Sequence, residues 1–305
     1  MIGTDMNNSV PMPNEADRAA SAEIKQARAR RERNARIRKH IFLIALSFIM
    51  LYPLFWLFSA SVKPENEIFS TLNLWPSEFR WSNYALGWEA LPVSFTRFYL
   101  NSTFVTVLSV VGNLLSCSFA AYAFARLQFT GKNLLFALMM MTLMLPYHVV
   151  LIPQYAMFHQ LGWIDTYLPL IVPKFLASEG FFIFLMVQFF RQIPRELDEA
   201  AMIDGCSPFK IYWAIILPLS LPAMGTAAIF SLIWTWEDFL GPLIYLNDIN
   251  SYTVPLALRL FDGTDGESQY GQMFAMSVMS LVPVVVFFIA FQKLIIRGIA
   301  TSGMK

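Results

Sequence analysis

The chain has 305 residues, 56% of them hydrophobic and 14% charged, with a formal net charge of +1 and a mean hydropathy of +0.51. Soluble domains carry roughly a quarter charged residues, so the composition excludes an ordinary soluble enzyme and describes a polytopic membrane protein. The near-neutral balance offers no bulk attraction to nucleic acid, and Cys117 and Cys206 stand in contexts too unlike to suggest a disulfide or a metal site.

Residues 1 to 40 form a basic leader, with Lys25, Arg28, Arg30, Arg31, Arg33, Arg36, Arg38 and Lys39 directly before the first apolar run. Such a block can bind RNA or anionic lipid, but in this place its ordinary meaning is topological, and it holds the N-terminus in the cytoplasm. Ile41 to Ser61 is uncharged and long enough for an uncleaved first span. Val62 to Thr96 is polar, poor in bases and rich in Trp and Tyr, as an external loop at the interface would be. Phe98 to Ala125 is the second span, and its small residues Ser109, Gly112, Ser116, Ala120 and Ala123 predict a helix-packing face. Arg126 and Lys132 mark an internal loop; Gly131-Lys132 lacks the other residues of a P-loop.

The third span is expected from Asn133 to Ile152, followed by an external loop from Pro153 to Asp165. Span four, Thr166 to Phe190, contains Pro169, Pro173, Lys174, Glu179 and Gln188. Ionisable groups at membrane depth face a cavity, a partner or one another. Lys174 and Glu179 would lie roughly 140° apart on a regular helix, so they are not expected to pair. Span five runs from Ile211 to Trp236, broken by Pro218 and Pro222, and ends in Trp234-Thr235-Trp236-Glu237-Asp238-Phe239. Gly241 to Gln272 is an acidic external loop with Arg259 as its one base; Met273 to Phe291 is span six; Lys293, Arg297 and Lys305 put the tail inside. The expected organisation is a leader, 1–40, and an all-α domain of six transmembrane helices, 41–305, with both termini cytoplasmic and an internal loop at 191–218.

That loop is a polar island between two apolar runs. Pro194 suits a first helical position and Gly205 a left-handed C-terminal cap, while Ser207 can cap a second helix with Pro208 in its first turn. The expectation is a helix, a sharp turn and a helix.

Within the loop, Glu199, Ala200, Ala201, Asp204, Gly205, Ile215, Leu217 and Pro218 stand at the spacing of the cytoplasmic coupling loop of permease subunits in bacterial ABC importers, which the chain resembles. An ordinary amphipathic hairpin at the membrane surface accounts for neither the glycine at that offset nor the closing Leu-Pro. Small Ala200 and Ala201 would let another protein approach, and Glu199 would offer a charge-assisted hydrogen bond across the contact. Ser61-Val62-Lys63-Pro64, Asn101-Ser102, Ala121 to Arg126 and Trp234 to Phe239 look like the carbohydrate-importer branch, represented by the smaller maltose-importer permease.

The resemblance covers Ile41 to Lys305. It implies a type I importer permease fold in the bacterial inner membrane and a non-catalytic subunit working with a second, different permease, two ATPase subunits and an extracytoplasmic solute-binding protein. ATP and Mg would reside on the ATPase and no cofactor on this chain. Glu199, Ala200, Ala201, Asp204 and Gly205 would couple to the ATPase, with Ile215, Leu217 and Pro218 anchoring the loop to span five. In some relatives the last external loop meets the binding protein and the C-terminal tail reaches the ATPase; here these are Gly241 to Gln272 and Lys293 to Lys305.

For the solute path the residues singled out are Lys174, Glu179, Trp234, Trp236, Glu237 and Asp238, because rings stack on sugar faces and acids accept hydroxyl hydrogens. The competing reading is an interfacial aromatic belt with acids facing water. Three substrate types fit the branch: a sugar, an oligosaccharide or a polyol phosphate. An acidic oligosaccharide such as alginate or pectin fragments is a further option, in which Lys174 or Arg259 would meet a carboxylate. The rival from another class is a stand-alone, ion-driven secondary transporter with Lys174 and Glu179 as a relay. An intramembrane enzyme finds no support in the scattered His40, His148 and His159.

Overall fold

With no water in a bilayer to satisfy amides, apolar segments must close their backbone bonds locally, and the chain is accordingly helical. The computed structural model describes residues 15–71, 73–262 and 269–302, with side chains described at 28, 30–71, 73–262 and 269–292. Asp265, Glu267, Lys293, Arg297, Lys305 and the leader charge Lys25 therefore lie outside the described side chains, as does the tail expected to reach an ATPase.

Two compact units divide the chain, Met1–Trp56 and Leu57–Lys305. The first consists of helix α1 (Glu15–Ser61) up to Trp56, so much of the basic leader is a helical extension of the first span. Its stretch from Arg30 has the length and apolarity to cross a membrane.

The second unit holds α2 (Ser82–Glu89), α3 (Phe95–Arg126), α4 (Lys132–Thr142), α5 (Tyr147–Gln160), α6 (Leu168–Ile171), α7 (Gly180–Phe190), α8 (Glu196–Ile203), α9 (Pro208–Ile211), α10 (Leu217–Leu219), α11 (Leu221–Trp236), α12 (Leu240–Tyr245), α13 (Val254–Leu258) and α14 (Tyr270–Ser302). Among the described residues of the whole chain, four helical stretches, that of α1 included, are long and apolar enough to cross a membrane, and six if two bent pairs each count as one span. The α4 and α5 axes differ by 102°, and those of 208–219 and 221–236 by 77°.

Each bend has a local cause. Pro146 cannot continue the i→i−4 ladder and disfavours helix at Leu145, so span three breaks at 143–146 and resumes through Pro153 to Gln160. The expected single helix from Asn133 to Ile152, with an external loop starting at Pro153, is corrected accordingly. Span five contains a π turn at Tyr212–Ile216, then loses helical geometry at Ser220, between Pro218 and Pro222. Span four is interrupted too: a 3₁₀ turn at Val172–Leu176 is followed by Ala177 in the left-handed region, with φ 53 and ψ 37.

Helix α3 is the central element, packing on α6, α7, α11 and α13. Its small-residue stripe does the packing expected of it, and holds the broken segment in place. A Cβ on Gly112 would come within 2.7 Å of the Phe175 ring and 3.1 Å of the Lys174 carbonyl carbon. One turn further on, Ser116 Oγ donates to the Lys174 carbonyl at 2.7 Å. Gly112→Ala should therefore overpack this contact and cost ~1–3 kcal/mol, read as a fall in the thermal unfolding temperature of detergent-purified protein; an unchanged temperature would mean that the 172–178 segment yields freely.

Candidate functional site

The breaks in spans three and four bring polar groups to one cavity of about 550 Å³ between the helices. Tyr147 and Gln154 enter it from α5, Lys174 and Glu179 from the broken span four, and Trp234 and Asp238 from the end of α11. Lys174 and Glu179 do pair: the Lys174 ammonium donates to Glu179 Oε1. The helical angle used to separate them does not apply, because the left-handed Ala177 and the following turn lie between them. Ser178 Oγ closes that turn by donating to the Pro173 carbonyl at 2.8 Å. A non-glycine residue at positive φ is costly and held only by its surroundings, here the α3 contacts at Gly112 and Ser116.

The aromatic and acidic cluster divides. Trp234 lines the cavity, its ring backed by Phe181 and Phe182 at centroid distances of 5.1 and 5.3 Å. Trp236 is buried on another face, where its Nε1 donates to the Ser280 carbonyl at 2.9 Å and its ring meets Tyr99 at 5.6 Å. It ties α11 to α14 and is withdrawn from the solute path. Glu237 is exposed and away from the cavity, whereas Asp238 lines it and caps α12, accepting from the Gly241 amide at 3.0 Å. A Cβ on Gly241 would meet Asp238 Oδ2, so a larger residue there would turn the carboxylate from its present position. Sequence reasoning missed Tyr147 and Gln154, for which Pro146 was the available signal. Arg259 is exposed and does not line the cavity.

At one end of the bundle the 191–218 segment folds as a helix, turn and helix. Arg195 precedes α8, so Pro194 lies just before the helix and not in its first turn. Gly205 has φ +78, and a Cβ there would meet nothing within 4 Å, so its requirement is backbone conformation alone. Its amide donates to the Met202 carbonyl at 3.0 Å, and Ser207 Oγ accepts from the Lys210 amide with Pro208 at the start of α9. Glu199, Ala200 and Asp204 are exposed, and Ile203 is 87% exposed. Ala201 instead faces this chain's own core, so its small side chain serves internal packing. Ile215 and Leu217 pack on the same core, with Ile216 fully buried; Pro218 is exposed and acts through the bend that follows it.

Three polar contacts bind this loop to α3 at successive helical turns. Ser118 Oγ and Tyr212 Oη lie 2.7 Å apart, Tyr122 Oη donates to the Pro208 carbonyl at 2.9 Å, and Arg126 Nη1 meets Asp198 Oδ2 at 3.2 Å. Positions 118, 122 and 126 share one helix face, which the sequence offered as a signal. Arg126 Nη2 also donates to the Phe190 and Ile193 carbonyls, at 2.7 and 2.6 Å, at the end of α7. The Arg126 and Asp198 side chains are only 3% and 14% exposed.

A layer of bent apolar spans around a polar cavity, with a rigidly tethered helix pair projecting at one end, defines an integral membrane transport component. A model of the family described as binding-protein-dependent transport system inner membrane component matches residues 112–301, and the chain belongs to that family. It is an all-helical inner-membrane protein with the type I ABC permease fold. It is 33% identical over 267 residues to the arabinooligosaccharides transport system permease protein AraQ of Halalkalibacterium halodurans, covering 85% of this chain and 93% of that one. To the trehalose/maltose transport system permease protein MalG of Thermococcus litoralis it is 31% identical over 262 residues, covering 86% and 94%. A bacterial ABC transporter involved in the import of the acidic polysaccharide alginate has a chain with the same fold, at a TM-score of 0.74 and 23% identity, over 93% of this chain and 99% of that one. The ion-driven secondary-transporter reading finds no support in this membership.

Removing one partner of the buried Arg126–Asp198 pair leaves the other charge uncompensated, a loss of ~3–5 kcal/mol. Arg126→Met and Asp198→Leu should each lower the unfolding temperature sharply, and the double variant should recover part of the loss. Additive losses in this cycle would mean that the two side chains act independently.

Proposed function

We propose that this chain is a membrane-spanning permease subunit of an ATP-driven importer for a sugar or oligosaccharide, and that it contributes half of the translocation path. The observation that carries the coupling role is the exposed α8 surface, with Glu199, Ala200, Ile203 and Asp204 outward while Asp198 is locked to α3. Helix α8 seats in a cleft of a separate ATPase, which holds ATP and Mg. A second, different permease completes the path, and an extracytoplasmic binding protein delivers the solute. The 118–122–126 contacts then pass motion of α8 to α3, which grips the broken segment carrying Lys174 at Gly112 and Ser116. The loop end of the bundle is cytoplasmic in this arrangement, as the charge bias of the sequence implies.

The cavity lining favours an uncharged glycan. Lys174 is occupied by Glu179, leaving Asp238 as the carboxylate without a cation at ion-pair distance among the described residues. A ring stacked on Trp234 with hydroxyls toward Asp238, Tyr147 and Gln154 satisfies these groups, whereas a uronate carboxylate meets a negative lining. Sugar-named relatives such as AraQ and MalG support the same class.

Three measurements test the proposal. The tagged chain, gently extracted, should bring down an ATPase and a second permease, and recovery alone or as a homodimer would defeat the assembly. Gly205→Pro removes both the positive φ and the amide that bonds Met202, so ATP-driven uptake should fall at least ~10-fold with the complex still assembled; unchanged uptake would remove the coupling role. In the intact importer, neutral oligosaccharides should stimulate ATP hydrolysis, and stimulation by uronate oligomers alone would reverse the substrate assignment.

A further inference from the structure

Among the described residues lining the solute cavity, Lys174 is the one cation, and Glu179 and Asp238 are the carboxylates. The meeting of Lys174 with Glu179 does not follow from their spacing. On a continuous helix the two positions point about 140° apart, and they meet because Ala177 stands at φ 53 and Ser178 closes the turn onto the Pro173 carbonyl. Positive φ is unfavourable for a residue with a Cβ, so the surrounding structure must hold it. Gly112 and Ser116 of α3 do so, gripping the segment at Phe175 and at the Lys174 carbonyl.

The pair is open to the solute space. The Lys174 and Glu179 side chains are 26% and 30% exposed, and both stand on the cavity wall. An ammonium has three N–H groups, and Lys174 gives one to Glu179 Oε1; Glu179 Oε2 accepts from none of the described residues. A donor and an acceptor are thus left side by side. Neighbouring hydroxyls of a sugar ring match them, one accepting from Lys174 while the other donates to Glu179. A carboxylate offers acceptors alone, so it suits the ammonium but not Glu179, and the charges of Glu179 and Asp238 repel it.

We propose that Glu179 is a specificity-determining residue of the cavity: with Lys174 it reads neighbouring hydroxyls of a neutral sugar, and by cancelling the ammonium it turns uronate sugars away. The inference rests on the sugar-importer reading above and assigns the choice between neutral and acidic solutes to one side chain. Removing the Glu179 charge unmasks Lys174, and the same cavity then accepts a uronate.

The test measures equilibrium binding to the chain purified with its companion permease and ATPase but without a binding protein, whose own selectivity then does not enter. The probes are a panel of neutral trisaccharides and trigalacturonate. Wild type should bind a neutral member and hold trigalacturonate at least ~10-fold more weakly. Glu179→Gln should tighten trigalacturonate roughly tenfold, with the gain fading in high salt, and should weaken the neutral sugar. A gain of affinity cannot arise from misfolding. Adding Asp238→Asn should tighten the uronate further, and adding Lys174→Gln to Glu179→Gln should abolish the gain. An unchanged preference in Glu179→Gln, with only a lower unfolding temperature, would reduce the pair to a structural tie and overturn the inference. A gain that survives the loss of Lys174 would overturn the masking. Wild type that prefers trigalacturonate to every neutral member, or binds no member of the panel, would instead overturn the neutral-sugar reading, and the inference with it.

Discussion

The buried contact between Arg126 and Asp198 is the constraint on which the loop end of the molecule depends. A guanidinium withdrawn from water must find several acceptors at once, and Arg126 finds three on three different elements: the Asp198 carboxylate on α8 and the carbonyls of Phe190, closing α7, and Ile193, in the connection after it. A hydrophobic contact of the same area would hold these elements together without fixing their angles. The fork geometry of arginine fixes both, so α8 projects in one orientation relative to α3. The hydroxyls of Tyr122 and Tyr212 repeat the tie one and two turns deeper.

The interior of the bundle is built on the opposite principle. Its spans are interrupted at 143–146, at Ala177 and at Ser220, and irregular backbone at membrane depth persists only where protein or a wet cavity satisfies it. Ser116 and Ser178 satisfy carbonyls freed near the second break. The polar cavity therefore coincides with the first two breaks, in spans three and four. A straight helix bundle of the same composition would have had no reason to carry Lys174, Glu179 and Asp238.

What the sequence disclosed and what it concealed follow from the range of the forces involved. Gly205, Ser207 and Pro208 were legible because positive φ, N-capping and a missing amide are properties of a residue and its immediate neighbours. The spans were legible because hydropathy is a sum. Lys174 and Glu179 were misjudged because their angle was reckoned on a helix that Ala177 breaks, and nothing about an alanine announces positive φ. Trp236 was grouped with Trp234 although residues two apart on a helix face directions about 200° apart, so one of the pair had to turn away from any shared cavity. The partner of Arg126 was invisible for a different reason: Asp198 is distant in sequence, and only folding discloses which of Glu196, Asp198 and Glu199 turns inward.

The near-complete exposure of Ile203, with Met202 and Leu197 also open beside it, sets a condition on how the cell must make this protein. Apolar side chains displayed on a rigid helix are adhesive in water, and the tether that holds α8 prevents the chain from tucking them away. Copies inserted without a protein to cover that helix would carry a standing mark for aggregation or proteolysis. In the assembly proposed above, the supply of the chain and of the ATPase that covers α8 is thereby bound to a fixed ratio, enforced by the lifetime of the surplus copies.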